Sequence, residues 1–240
     1  MSEQKTVGIL GGMGPAATID LFQKIVSLTD ARGDAEHIHI LIDNEPRVPD
    51  RTAALLRGGE SPLPTLCQMA KRLEAMGADL LAVSCNTSHF FYQDIADAVS
   101  VPVVNMIDET AKAVFSLGVS DVIVLATDGT VNMKLYDRYM EKYGITVHGM
   151  STVGQSLVMK MIYDYVKGAS SDFPKEQFIS ELIACGADKY PSVLGCTELP
   201  IAFERLGING FRLIDPATVL AKSLILAAGY SLRKEARDGT

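Results

Sequence analysis

The feature that most constrains this chain is a phrase that occurs twice. An amphipathic stretch ending in Gly77-Ala78-Asp79 leads into the apolar run Leu80-Leu81-Ala82-Val83 and then Ser84-Cys85-Asn86-Thr87. In the second half, a stretch ending in Gly186-Ala187-Asp188 leads to Ser192-Val193-Leu194-Gly195 and then Cys196-Thr197-Glu198. A short unbroken apolar run reads as a buried strand, and Asn, Thr and Ser are helix-capping types, so each cysteine falls between a strand's C-terminal end and a helix N-terminus. Parallel α/β sheets bind their ligands at that rim, and the partial positive charge of a helix start favours a thiolate over a free thiol.

The repetition extends further. The opening strand Thr6 to Leu10 has a counterpart in Asp121 to Thr127, and each cysteine is followed by a helix and a second apolar strand ending in Asp, Val101 to Asp108 and Phe211 to Asp215. Further helices start near Glu109 and at Pro216. The fold class that follows is α/β: two similar lobes, each a parallel sheet flanked by helices, related by a pseudo-twofold with the active site in the cleft between them. Residues 1–100 plus 214–240 are assigned to the first lobe and 101–213 to the second. Cys85 and Cys196 then stand on opposite walls of one cleft, whereas Cys67 and Cys185, set among apolar helix residues, read as small core hydrophobes.

Composition narrows the class of partner. With 240 residues, 48% of them hydrophobic, the chain can fill a substantial core, and no apolar stretch approaches the roughly 18 residues of a membrane span. The N-terminus runs into a strand without a signal-peptide pattern, so a cytoplasmic location and no membrane association are expected. The net charge of −7 and the lack of a Lys/Arg cluster argue against nucleic acid and for a small molecule. No Cys-x-x-Cys pair is present, and no metal site is expected.

Gly11-Gly12-Met13-Gly14-Pro15 is a tight loop between the first strand and a helix, Ala16 to Asp30, with Ile19, Phe22, Ile25 and Val26 on one face. It lacks the P-loop Lys-Ser/Thr and the Gly-x-Gly-x-x-Gly spacing, so it is either a purely structural glycine turn or a site where Met13 and Gly14 meet an anion or carboxylate rather than a dinucleotide. The second strand is expected at His37 to Ile42, followed by the polar loop Asp43 to Thr52 on the same rim. There Arg47 is either a carboxylate clamp or a surface arginine paired with Asp50 or Glu45. Pro64 to Met76 and Phe178 to Cys185 read as helices with Leu66, Met69, Ala70, Leu73 and Met76, and Ile179, Leu182 and Ile183, inward.

The glycine loop, the segment Asn44 to Thr52, Ser84-Cys85-Asn86-Thr87-Ser88-His89 and Leu194 to Leu199 together resemble the aspartate/glutamate racemase family of cofactor-independent amino-acid racemases, the aspartate branch in particular, over nearly the whole chain. The resemblance implies an isomerase with Cys85 and Cys196 as acid and base on opposite substrate faces. It implies no cofactor, an acidic amino-acid substrate, and carboxylate contacts from Arg47 and, in the second lobe, Lys160. A homodimer is expected. Some members carry threonine in place of the first cysteine and act on one hand only; this chain keeps both thiols.

The residues themselves agree with that chemistry. Inverting a stereocentre through its α-proton is easiest with one base on each face, and a thiol pKa of about 8.5 lets thiolate and thiol coexist near neutrality. Asn86, Thr87, Thr197 and Glu198 are placed to donate to the carboxylate on which charge develops. Thr127 and Thr130 occupy the second-lobe position equivalent to the glycine loop, and Asp128 beside them is out of place near a diacid unless it points outward or meets the ammonium. His89 either influences the Cys85 thiol or is a structural histidine; Asp108 either tunes the site or caps a helix. The rival readings are another two-thiol enzyme such as a maleate isomerase or arylmalonate decarboxylase, a Cys85–His89 hydrolase, and a non-catalytic small-acid receptor.

Overall fold

The computed structural model describes residues 4–237. In the first sheet β1 (Val7–Gly11) lies between β2 (Ile40–Asn44) and β3 (Leu80–Val83), with β4 (Val103–Val104) beside β3, all parallel. The second sheet repeats that order: β5 (Asp121–Ala126) lies between β6 (Thr146–His148) and β7 (Ser192–Gly195), with β8 (Leu213–Ile214) beside β7, again all parallel. Parallel neighbours need crossover connections, and helices supply them. These are α1 (Pro15–Leu28), α2 (Arg51–Leu56), α3 (Leu63–Ala75) and α4 (Tyr92–Asp97) in the first half. Then follow α5 (Met106–Ser116), α6 (Asp128–Asn132), α7 (Leu135–Met140), α8 (Thr152–Lys160), α9 (Lys175–Ala184) and α10 (Glu198–Leu206), with α11 (Pro216–Ala227) and α12 (Lys234–Arg237) after the last strand.

The central strands β1, β3, β5 and β7 are buried almost throughout, as their unbroken apolar sequences require when helices cover both sheet faces. The chain crosses between the lobes twice. After β4 of the first sheet, α5 packs on α7 of the second lobe; after β8 of the second sheet, α11 packs back on α1. Leu220, Leu224 and Ile225 of α11 share one core cluster with Val7, Ile9, Leu21 and Ile25. The first sheet thus takes in Val103 and Val104, beyond residue 100, and Leu213 and Ile214 complete the second.

Several local expectations shift. β2 starts three residues later than its apolar run, because His37 and His39 precede the pairing of Ile40 with Val7. The run at Val101 yields a two-residue strand, since Asn105 caps α5 by accepting from the Ile107 and Asp108 amides at 3.0 and 3.1 Å. Asp108 is therefore not the cap; it pairs with Lys112 at 2.8 Å. On α1 the buried face is Ala17, Thr18, Leu21 and Ile25, while Ile19 and Phe22 are exposed. The reason is Thr18, whose hydroxyl accepts from the Gly12 amide at 2.9 Å and donates to the Gly14 carbonyl at 3.1 Å, turning that face toward the glycine loop. Met76 and Ile183, at helix ends, are exposed as well, while Leu66, Met69, Ala70, Leu73 and Leu182 are buried.

Candidate active site

Cys85 and Cys196 each follow the central strand that pairs with the lobe's opening strand, β3 with β1 and β7 with β5, and both are buried. The two strand ends meet. Thr87 of the first lobe lies 2.9 Å from Thr127 and 3.0 Å from Thr130 of the second, hydroxyl to hydroxyl. Thr197 donates to the Ser84 carbonyl at 3.4 Å, and the Gly14 amide donates to Glu198 Oε1 at 3.1 Å. Both thiols face one chamber, walled also by Met13, Asn86, Thr87, Thr127, Thr197 and Glu198. Its free space is about 10 Å³, room for a single water.

A wider vestibule of about 390 Å³ lies outside, bounded by the glycine loop, Pro46, Val48 and Val166. Met13, Asp50, Arg51, Tyr163, Lys167 and Glu198 border both spaces and form the partition between them. The partition is latched across the lobes by Tyr163, which donates to Asp50 Oδ2 at 2.8 Å. Gly12, at φ +92°, lets the glycine loop lie against the next loop; a Cβ there would sit 2.4 Å from the Glu45 carbonyl carbon.

Two cations stand in this partition, Arg51 buried and Lys167 with its side chain 27% exposed. Arg51, only 7% exposed, donates to the carbonyls of Val48, Pro49 and Met13 at 3.2–3.3 Å, and its Nε has no partner. Burial opposes its charge, but Cys85 and Asp50 beside it more than offset that and hold the guanidinium firmly protonated. Lys167 lies 3.5 Å from Glu198 Oε1 and 4.9 Å from the centre of the Tyr163 ring. Burial works against its charge too, and Glu198 together with the two thiols restores it.

The two thiols have unlike surroundings. Cys196 Sγ donates to Glu198 Oε2 at 3.0 Å. Burial pushes this thiol well above the ordinary range and the Glu198 carboxylate pushes it further, with Lys167 opposing. Cys85 has Arg51 beside it. His89 does not reach either thiol: its Nε2 accepts the Met106 amide at 3.1 Å, so the ring proton resides on Nδ1 and goes to the Cys85 carbonyl at 2.9 Å. Burial drops this imidazole from 6.5 to about 4. A neutral ring with both nitrogens committed to backbone cannot serve as the base of a Cys–His hydrolase.

A profile of the Asp/Glu/Hydantoin racemase family matches residues 10–224. The chain belongs to this family. It is similar to the aspartate racemase of Picrophilus torridus, 33% identical, with 97% of this chain and 98% of that one covered at a TM-score of 0.83. An aspartate racemase homologue from Pyrococcus horikoshii OT3 is 26% identical, covering 94% of this chain and 99% of that one at a TM-score of 0.73. Among curated proteins, the broad specificity amino-acid racemase RacX of Bacillus subtilis strain 168 is 27% identical over 229 residues, 91% of this chain and 96% of that protein.

In this Asp/Glu/hydantoin racemase family member, Cys85, Cys196, Met13, Asn86, Thr87, Thr127, Thr197 and Glu198 line the chamber, Gly14 lines the vestibule, and Thr130 braces the hydroxyl cluster behind Thr127. Arg47 and Lys160 stand elsewhere. Arg47 has a side chain 87% exposed and doubly bonded to Glu45 at 2.8 and 2.9 Å, because the loop turns it outward. Lys160 pairs with Asp164 at 3.4 Å in a shallow surface depression. The cations that the structure brings to the chamber are Arg51 and Lys167, which the sequence reading passed over.

Each had a signal. Arg51 is the first residue of α2, whose N-cap Asp50 accepts the Ala53 amide at 2.6 Å, so the helix start swings Arg51 back over the glycine loop. Lys167 ends a seven-residue π-helical stretch, Met161–Lys167, whose wider turn carries it off the face that Lys160 occupies. Asp128 points away, held by Gln155 at 2.8 Å. Among the described residues no group of three His, Cys, Asp or Glu could hold a metal ion, and no helix is long and apolar enough to cross a membrane.

Proposed function

We propose that the protein interconverts the enantiomers of an acidic amino acid without a cofactor, Cys85 and Cys196 taking and returning the α-proton on opposite faces. The observation that carries this reading is a pair of buried donors without partners, Arg51 Nε and Asn86 Nδ2, on residues that border the chamber holding both thiols. A buried donor left unmade costs about 1–3 kcal/mol, a cost that a bound carboxylate removes. Arg51 supplies a planar fork for one carboxylate and Lys167 a second, partly exposed charge, a combination suited to a diacid.

In the reaction one thiolate removes the α-proton while the opposite thiol delivers its own, so the protein ends with the thiols' protonation exchanged. Charge accumulates on the α-carboxylate during transfer, and fixed donors stabilise it more in the transition state than in the bound substrate. Glu198 holds the Cys196 thiol protonated when the substrate arrives, which makes Cys196 the proton donor of the resting form. A chamber of about 10 Å³ does not contain an amino acid, so entry from the vestibule requires the Asp50–Tyr163 partition to part.

The experiment is deuterium exchange at Cα followed by NMR with L- and D-aspartate and glutamate in D₂O. Exchange of both hands in the wild type is expected, with Cys85→Ser and Cys196→Ser each retaining exchange of one hand only, and of opposite hands. If both single variants exchange the same enantiomer, the two-base reading is wrong. The homodimer and the cytoplasmic location belong to the same proposal; sedimentation equilibrium tests the first.

A further inference from the structure

Behind the chamber, and outside it, stands a side chain that touches the neighbours of both thiols. Tyr136 of α7 is 1% exposed. Its hydroxyl crosses the lobe boundary and donates to Asn86 Oδ1 at 2.5 Å. Its ring lies against Gly195, so closely that a Cβ on Gly195 would come within 2.9 Å of Tyr136 Cε2. Asn86 follows Cys85 and Gly195 precedes Cys196, so one buried residue of the second lobe braces both reactive strand ends.

The hydroxyl contact settles which way Asn86 faces. The two ends of an amide are nearly the same shape but opposite in hydrogen-bonding character, so before a ligand is present nothing but its neighbours fixes which end a carboxamide turns to the chamber. A phenol proton directed at Oδ1 breaks that symmetry. With Oδ1 occupied, Nδ2 is the end left without a partner, and Asn86 borders the chamber.

We propose that Tyr136 is a positioning residue for proton transfer, holding the Asn86 amide with its N–H₂ end toward the substrate carboxylate while its ring keeps the Cys196 strand end in register with it. The inference rests on the racemase reading for its kinetic consequence, but not for the anchoring of Asn86 itself. Because the carboxylate gains charge as the α-proton leaves, a misdirected amide costs more in the transition state than in the Michaelis complex, and the loss appears in kcat rather than KM.

The test combines Tyr136→Phe, Asn86→Ala and the double variant, assayed with both enantiomers of aspartate, with ¹⁵N spectra of side-chain amides. Tyr136→Phe keeps the ring and therefore the packing on Gly195. We expect Asn86→Ala to lower kcat about a hundredfold, as loss of one transition-state donor does, and Tyr136→Phe to lower it about tenfold with KM nearly unchanged. In the Asn86→Ala background Tyr136→Phe should cost nothing more, and in the single variant the Asn86 side-chain signals should shift and lose protection from solvent exchange.

A wild-type kcat in Tyr136→Phe, or a further tenfold loss in the double variant, would overturn the assignment, since the phenol would then be acting through something other than Asn86. A lower melting temperature with unchanged kcat would mark a purely structural hydrogen bond and overturn it equally. If the wild type racemised no acidic amino acid, the racemase reading would fail by itself. The amide spectra would still decide the anchoring, with Asn86 signals identical in wild type and Tyr136→Phe counting against it.

Discussion

His89 offers the sharpest numerical check on how this site is built. In the folded protein its imidazole is held neutral, with a pKa of about 4 against the ordinary 6.5, because the ring is buried and Nε2 is already accepting the Met106 amide. The unfolded chain therefore binds more protons than the folded one between these values, so stability is full above pH 6.5 and is lost as pH falls toward 4. The difference between about 4 and 6.5 corresponds to about 3 kcal/mol over the window, of which roughly 2 kcal/mol is gone by pH 5. His89→Gln removes the titrating group. The variant should be less stable at pH 7.5, having lost its paired backbone contacts, yet its stability should fall less steeply than the wild type's from pH 6.5 to 4.5. Urea unfolding at half-unit pH steps measures both curves. Parallel curves, or an imidazole that titrates near 6.5 by NMR, would refute the argument and reopen a role for His89 as a base toward Cys85.

Three other outcomes follow from the partition and the unlike thiols. Arg51→Ala should lower kcat/KM for aspartate by about 30-fold or more, a desolvated charge-assisted pair being worth about 2–5 kcal/mol, and Arg51→Lys should not restore it; Arg47→Ala should stay within a few-fold of wild type. Lys167→Met should likewise weaken aspartate far more than Lys160→Met does, measured side by side in the same exchange assay. Glu198→Gln removes the carboxylate that raises the Cys196 thiol, so the ascending limb of kcat/KM should move to lower pH for the enantiomer that Cys196 deprotonates and stay in place for the other. A shift to higher pH would show that Glu198 is not setting this thiol.

Much of this site was legible because its parts are local in sequence. A four-residue apolar run followed by Cys, Asn and Thr is enough to place a thiol at a strand end, and the recurrence of that phrase with its Gly-Ala-Asp lead-in reveals two lobes. What local pattern does not carry is the direction in which a loop side chain leaves its backbone. Arg47 and Arg51 sit in one polar loop with similar neighbours; the difference is that Asp50 starts a helix between them, leaving one guanidinium on Glu45 and the other on the Met13 carbonyl of the glycine loop. Lys160 and Lys167 are separated by a change of helical pitch that composition does not announce. The inward face of α1 was misjudged for a related reason: a polar residue, Thr18, earns its buried place by bonding a loop, displacing Ile19 and Phe22 to the surface.

The double crossing of the chain has a consequence for the protein's birth on the ribosome. Most residues of the first lobe's two core clusters precede β4, but Leu220, Ala221, Leu224, Ile225 and Leu232 come from the far end of the chain, and Leu232 bridges back to Thr29. By contrast the core residues of the second lobe, from Ile107 to Ile214, all lie between the two crossings and are translated in one stretch. The half made first is thus the half completed last: its sheet can pair as it emerges, yet it stays open along the α1 face until α11 clears the exit tunnel. A nascent chain that ends at β8 would hold both cysteines and all of the second lobe's core residues but not the α11 side of the first lobe's core, so the uncovered α1 face is the surface a chaperone has to shield.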